Sequence, residues 1–475
     1  MSVRVRLGAH RLSMYEHALN KEKSQGYSYF VQRVNKQLIC ALTFFMGVSL
    51  LLTDYAGAAI KPGTTCTKLK SVKIVGNLKF TCVRSGKKFA WSHGEALGIS
   101  NKPVSKTEKT SQSELEKTRI ENEQAQKDAV SKANAEATAI AEKSKEKANA
   151  TLEAATLENS TFDINHLYPR VVYERSRAEI AKAVASGGSD KVKPIFHVGQ
   201  NVDPDLLKEA YVDIDDAVRL WSKYFQPEDV EIIFYSYADK DWAGAKYTAL
   251  TGYPISNSPI SSCNETYCGN GSAVSNFKIS PIRYLYEHGL QKSGSSIWHK
   301  STNVHEYTHL AQTFFANQNG NKMPNWILEG IAQFYGEAVS YAKFDIDKKT
   351  RSALHTNYWL SAALPYFQKE FGISDLPTIL RQRNESNSVK IMEHLEYKIP
   401  PWEEFGLGYL FGGYAAEVLV SLYGHDKLVE YMQTFHDSED FKGNFNKVYG
   451  MTTTDFYKKL TPYFADMADE LKNPN

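Results

Sequence analysis

The chain has 475 residues, of which 42% are hydrophobic and 23% are charged, and its formal net charge is +2. A chain of this length can form more than one domain and bury a sizeable core. Its near-neutral charge, without any basic run interleaved with aromatic residues, argues against nucleic acid as a partner.

The first predicted element is a secretory signal within residues 1–58. An apolar run from Leu38 to Leu52 follows two basic residues and precedes Ala56-Gly57-Ala58. The run is shorter than the roughly 20 residues that span a bilayer, and the small residues after it fit cleavage after Ala58. The alternative is an uncleaved signal anchor, which would associate the protein with the membrane or cell wall through its N-terminus.

Residues 60–101 are predicted to form a small β module. Two short β-type runs, 71–75 and 78–82, are joined by Gly76-Asn77, a sequence typical of hairpin turns. With Gly86-Lys87-Lys88 and Trp91, the module resembles Cys-paired segments near the start of secreted actinobacterial proteins.

Cysteine usage indicates an oxidising compartment. Removal of Cys40 with the signal leaves Cys66, Cys82, Cys263 and Cys268, an even number suited to two disulfides. We predict local pairs, Cys66 with Cys82 and Cys263 with Cys268. A second metal site is the alternative, but neither pair has the C-x-x-C spacing of structural zinc.

Residues 103–158 are predicted to form a helical or disordered spacer. They are rich in Ala, Lys, Glu, Ser and Asn and contain almost no large apolar residues. Good helix formers without a heptad of Leu or Ile favour a solvated single helix, or a partly disordered segment, over a coiled coil.

Residues 162–475 are predicted to form one domain of α+β class. The segments before position 297 mix strands and helices, with a strand at 230–235. After position 329 the pattern is helical, with apolar runs at 359–371, 407–422, 428–435 and 456–467. We expect a mixed α/β upper lobe, a mainly α-helical C-terminal lobe and a cleft between them.

The most informative motif is His305-Glu306-Tyr307-Thr308-His309. Two histidines four residues apart in a helix lie on the same face, so both imidazoles can bind one cation. Glu329 follows Pro324-Asn325, a helix-start signal, and can supply a third ligand from a second helix. Catalytic zinc takes three protein ligands and leaves one position for water, whose proton Glu306 is placed to accept. The motif therefore predicts one catalytic Zn²⁺ ion.

The local sequence supports this interpretation. Apolar spacing predicts a helix over 297–315, and Asn303 with Glu306 resembles a capping pair. Gly330, beside the third ligand, would let two helices approach closely.

Each motif residue also has a structural alternative. His305 and His309 could be hydrogen-bonded structural histidines, and Glu329 could be an acid favoured by a helix N-terminus. Eight other histidines lack such spacing and are interpreted as surface or core residues: His166, His197, His288, His299, His355, His394, His425 and His436.

The H-E-x-x-H motif followed by Glu329-Gly330-Ile331-Ala332 resembles the gluzincin metallopeptidases, and its E-G-x-A form is similar to the thermolysin-like and aminopeptidase-like (peptidase MA-like) branch. The resemblance covers roughly residues 190–465. It implies a zincin-like fold in which His305, His309 and Glu329 bind zinc and Glu306 is the general base.

A second stretch, Tyr409–Leu419, is similar to the family helix whose leading tyrosine points at the scissile carbonyl. The resemblance implies that Tyr409 donates a hydrogen bond to the developing oxyanion, where electrostatic stabilisation is large. Tyr409 and Tyr414 could also be core aromatic residues.

One departure from the family bears on the type of peptidase. The chain has no G-x-M-E-N segment, with which aminopeptidases of this group capture the free amine of the substrate, so an endopeptidase is favoured. The segment 275–280 alternates polar and apolar residues and could be the sheet edge that aligns an extended peptide, or simply an exposed strand.

The expected function is hydrolysis of peptide or protein substrates outside the cell or at its surface. One alternative is a catalytically inactive zincin-fold protein that binds peptide or cell-wall material, but Glu306 argues against it because a binding protein has no use for a base. A purely structural envelope protein would leave the zinc motif unexplained.

Overall fold

The structure is a computed structural model of the chain, which divides into two compact units, Ala18–Gln124 and a unit that contains Ala125–Asn475. The structure describes residues 65–66, 71–75, 78–85, 88–92, 95–96, 106–157, 161–188, 192–276, 282–290, 297–317, 322–343, 355, 361–372, 376–396 and 405–472. The predicted signal lies outside these residues. Among the helices that are described, none combines the length and apolarity needed to cross a membrane.

The first unit contains a small antiparallel sheet. Its strands are β1 (Val72–Val75), β2 (Leu78–Ser85), β3 (Lys88–Trp91) and β4 (Glu95–Ala96). The predicted β1–β2 hairpin is confirmed, and β3 and β4 also pair with β2. The predicted Cys66–Cys82 disulfide is present, and both half-cystines are buried.

The segment predicted as a spacer is one helix, α1 (Lys106–Leu157). From Ala125 onward α1 belongs to the second unit, where most of its described side chains are exposed but one face of the helix is buried. Ala133, Ala137 and Ala141 recur at four-residue spacing and are buried in the main core of the unit. Their small side chains let α1 pack closely, and the larger residues that pack against the same core, Val130 and Ile140, are too sparse to form a hydrophobic pattern in the sequence.

The second unit is built on a mixed four-stranded sheet of order β5-β6-β8-β7. Its strands are β5 (Ile195–Val198), β6 (Val230–Tyr235), β7 (Gly271–Asn276) and β8 (Arg283–Gly289). β5, β6 and β8 run parallel, and β7 is an antiparallel edge strand. β6 confirms the predicted strand, and all six of its residues, Glu231 included, are buried, as in a strand covered on both faces.

Helices cover both faces of this sheet. Before the H-E-x-x-H motif they are α2 (Pro169–Ser186), α3 (Pro204–Trp221) and α4 (Lys240–Thr251). The helix of the motif is α5 (Ile297–Ala316), as predicted within one residue. α3 and α5 pack on one face with the main core, whereas α4 lies on the other face over a smaller core. That smaller core contains the second predicted disulfide, Cys263–Cys268.

The two disulfides, Cys66–Cys82 and Cys263–Cys268, indicate an oxidising environment.

After α5 the described chain is helical. The helices are α6 (Asn325–Lys343), α7 (Ser361–Phe371), α8 (Leu376–Arg381), α9 (Glu385–His394), α10 (Phe405–Leu407), α11 (Gly413–Tyr423), α12 (His425–Gln433), α13 (Phe441–Tyr449), α14 (Thr453–Lys459) and α15 (Thr461–Lys472). A π-helical turn, Gly408–Gly412, joins α10 to α11. This order, a mixed sheet followed by helices, confirms the α+β class.

Candidate metal centre

The two histidines of the motif lie one turn apart on α5 and face the same point. Their Nε2 atoms are 3.0 Å apart, and the two rings are nearly perpendicular. Both side chains are buried. Two imidazole nitrogens this close, away from water, require a proton or a cation between them.

Glu329 brings a carboxylate to the same point from α6. Its Oε2 atom lies 3.5 Å from Nε2 of His305 and 3.4 Å from Nε2 of His309, and this oxygen has no hydrogen-bond partner of conventional geometry among the described residues. The three side chains therefore form a buried group that could hold a metal ion. A tetrahedral ion with bonds of about 2.0–2.1 Å needs ligand atoms about 3.3 Å apart, so the three observed spacings fit such an ion.

The electrostatics of the group favour positive charge at its centre. Burial alone would raise the pKa of Glu329, but the two histidines outweigh it and hold this pKa well below its ordinary value. Burial lowers the pKa of His309, yet Glu329 and Glu306 raise it to about 9. Burial lowers the pKa of His305 below its ordinary value. A cation, whether a proton or a metal, is thus strongly attracted to this position.

Gln312 fixes the orientation of His309. Its Nε2 atom donates to the backbone carbonyls of Ile327 and Leu328, at 3.1 and 3.0 Å. Its Oε1 atom is therefore the acceptor for Nδ1 of His309, 2.8 Å away, and this leaves the Nε2 lone pair of His309 facing the centre. Sequence analysis did not identify Gln312, although its position one helical turn after His309 places it on the same face, within reach of the His309 ring.

Glu306 lies beside the group, next to edge strand β7. A Cβ atom added to Gly271 of β7 would lie 3.0 Å from Cγ of Glu306, and the backbone N–H of Ala273 donates to the Glu306 carboxylate. Burial raises the pKa of Glu306 to about 7, with Glu329 and Glu287 adding to the rise and His309 opposing it. Glu306 is only partly covered, so it remains reachable from outside.

Tyr409 is brought to the group by the π-helical turn. Its ring stacks on the ring of His305, with centroids 5.5 Å apart and planes within 5°, and it hydrogen-bonds to Glu329. The turn can approach α6 because Gly330 faces Gly412, where a Cβ atom on Gly330 would lie 2.3 Å from the Gly412 backbone. Close approach of two helices at Gly330 was predicted and is observed.

Other sequence expectations had different outcomes. Asn303 does not cap α5 but lies inside it, where it accepts hydrogen bonds from Tyr286 and His288 and donates to Asp213. Of the segment predicted as an edge, residues 275–276 end β7, and 277–280 lie outside the described residues. Tyr414 is buried, in agreement with the alternative that it is a core aromatic residue.

The structure thus brings together all five residues singled out from the sequence: His305, Glu306, His309, Glu329 and Tyr409. No protein-family model matches the chain, and no curated protein or solved structure shows significant similarity to it. Functional conclusions therefore depend on the chemistry of the site.

Proposed function

We propose that this protein is a zinc-dependent peptidase of the gluzincin type, secreted or exposed at the cell surface. The observation that carries the proposal is the convergence of three buried donor atoms, from His305, His309 and Glu329, beside the carboxylate of Glu306. A structural metal site has no need of a carboxylate beside its ligands that does not bind the metal, whereas metal-assisted hydrolysis needs one as a base.

Zinc is the metal proposed because two imidazoles and one carboxylate are a donor set of catalytic zinc, which keeps a fourth position open. Bound zinc would polarise the scissile carbonyl and lower the pKa of water to about 7. His305, His309 and Glu329 would hold the ion, and Gln312 would keep His309 in the tautomer that binds it.

Glu306 is proposed as the general base. A carboxylate with a pKa near 7 can accept a proton from the attacking water and afterwards deliver it to the leaving nitrogen, because both transfers are then nearly balanced at neutral pH. Its position beside the metal ligands, on the side of β7, places it between the site and the edge strand.

Tyr409 and β7 are proposed to bind the substrate. The phenol of Tyr409 lies at the site and can donate a hydrogen bond to the developing oxyanion. Among the strands that the structure describes, β7 pairs with β8 alone, so its other edge can align an extended peptide by backbone hydrogen bonds. Binding along a strand suits an internal segment of a polypeptide, which agrees with an endopeptidase.

The test combines metal analysis with a digest of a broad peptide library, with and without a chelator, on wild-type protein and on Glu306→Gln. We expect about one zinc per chain, cleavage that the chelator abolishes, and an inactive variant that retains zinc. A zinc-bearing protein that cleaves no peptide would favour the binding-protein alternative, and a protein that binds no zinc would refute the proposal.

A further inference from the structure

A chain of buried polar side chains leads away from the metal centre on the side of His305. Gln333, one helical turn after Glu329 on α6, hydrogen-bonds to His305. The Nε2 atom of Gln333 donates to Oε1 of Glu337 at 2.8 Å, so the Gln333 oxygen is the acceptor for His305. Gln333 and Glu337 are both buried.

The chain continues beyond Glu337. Nε2 of His355 lies 2.8 Å from the same Oε1 atom of Glu337, and Nδ1 of His355 lies 2.9 Å from the hydroxyl of Tyr414. One assignment of hydrogens satisfies every link: Tyr414 donates to His355, and His355 and Gln333 both donate to Glu337. In this assignment Glu337 is a carboxylate that accepts hydrogen bonds from Gln333 and from His355.

The two ligand histidines are therefore supported differently. Gln312 donates to neutral backbone carbonyls, whereas Gln333 donates to a carboxylate. A hydrogen bond to a charged group is roughly twice as strong as a neutral one and polarises its neighbours along a chain. The oxygen of Gln333 is thus the stronger acceptor, and His305 the better electron donor toward a cation.

We propose that Glu337, acting through Gln333 and held by His355, is a positioning residue that sets the orientation and metal affinity of His305. The inference deepens the proposed function and rests on it, since it concerns the same metal centre. It gives His355, which the sequence left as a surface or core residue, a specific part in the site.

The test measures zinc affinity by competition with a chromophoric chelator, together with thermal unfolding of the zinc-free protein. Glu337→Gln keeps the shape of the side chain but removes its charge, and we expect zinc to bind about 10-fold more weakly, the lower end of the effect of losing a direct partner of a metal ligand, because Glu337 acts through Gln333. Glu337→Asp, which retains a carboxylate, should restore part of the affinity.

The matched control is Glu417→Gln. Glu417 is as fully buried as Glu337, but it hydrogen-bonds to Arg177 at 2.5 Å and to Tyr463 at 2.8 Å, neither of which is a hydrogen-bonded member of the chain that leads to His305. Its loss should lower stability and leave zinc affinity unchanged. Gln333→Met, which interrupts the chain without removing a buried charge, should weaken zinc binding as Glu337→Gln does, even if Glu337→Gln does not fold.

The outcomes are distinguishable. If wild-type protein binds zinc and both Gln333→Met and Glu337→Gln bind it equally well, the positioning role is refuted and the proposed function stands. Equal losses of affinity in Glu337→Gln and Glu417→Gln would also refute it, since the effect would then follow stability. A wild-type protein that binds no zinc refutes both.

Discussion

The contact between Gly330 and Gly412 brings the backbones of α6 and the π-helical turn together, and Gly412→Ala tests whether this contact places Tyr409. A Cβ atom on Gly412 would lie 2.6 Å from the carbonyl oxygen of Trp326 and 2.9 Å from the Cα atom of Gly330. Ordinary Cβ contacts begin at 3.4 Å, so the backbones must separate by roughly 1 Å. Neither neighbour is the flexible end of a side chain.

The expected cost follows from this displacement. Overpacking of a well-packed core typically costs about 1–3 kcal/mol of unfolding free energy. Tyr409 lies on the displaced turn, and a shift of about 1 Å in a group that positions the reaction can lower the rate about 100-fold. The proposed zinc ligands lie on α5 and α6, so zinc content should be retained.

Gly413→Ala is the matched control on the next residue. A Cβ atom there would meet only the carbonyl oxygen of Gly330, at 3.8 Å, which is an ordinary contact. Alanine in a helix is favoured over glycine by about 0.5–1 kcal/mol, so this variant should be at least as stable as wild type. The assays are thermal unfolding, zinc content and kcat/KM on a peptide found in the library digest. Wild-type stability and activity in Gly412→Ala would show that the close approach does not place Tyr409.

Three further predictions test other parts of the structure. Glu306→Gln should retain zinc and lose at least about 100-fold in kcat, because general base catalysis contributes about 10²–10⁴-fold; normal turnover in the purified variant would refute the assignment of the base. Burial raises the pKa of Glu287 to about 7, so the folded state holds a proton that the unfolded chain releases near pH 4.5, and stability is lost as pH rises from 4.5 to 7. Glu287→Gln should remove this loss. Between pH 4.5 and pH 8, the unfolding free energy of the variant, measured by chemical denaturation, should therefore rise relative to that of wild type by up to roughly 3 kcal/mol. Parallel pH profiles of the two proteins would contradict the raised pKa of Glu287. Ala137→Glu places a charge on the buried face of α1 and should lower the unfolding temperature strongly, whereas Ala139→Glu, on the exposed face, should not; equal unfolding temperatures would mean that α1 is solvated there.

Much of the site follows from the sequence because its parts are local. His305 and His309 are four residues apart, and any helix places residues at that spacing on one face; the structure adds only that the helix forms. The β1–β2 hairpin and both disulfides are likewise short-range features, which turn residues and cysteine spacing reveal. Glu329 could be identified as the third candidate ligand because a helix-start signal precedes it.

Only the tertiary structure decided which distant side chains support this centre. Tyr409 reaches His305 across more than a hundred residues of chain because two glycines let a π-helical turn approach α6. Glu337 and His355 meet through long-range packing that no sequence period encodes. The alanine face of α1 has no hydrophobic signature, since its burial depends on what it packs against. Periodicity in a sequence predicts which face of a helix is buried, but the residues that pack against that face are determined only when the tertiary structure forms.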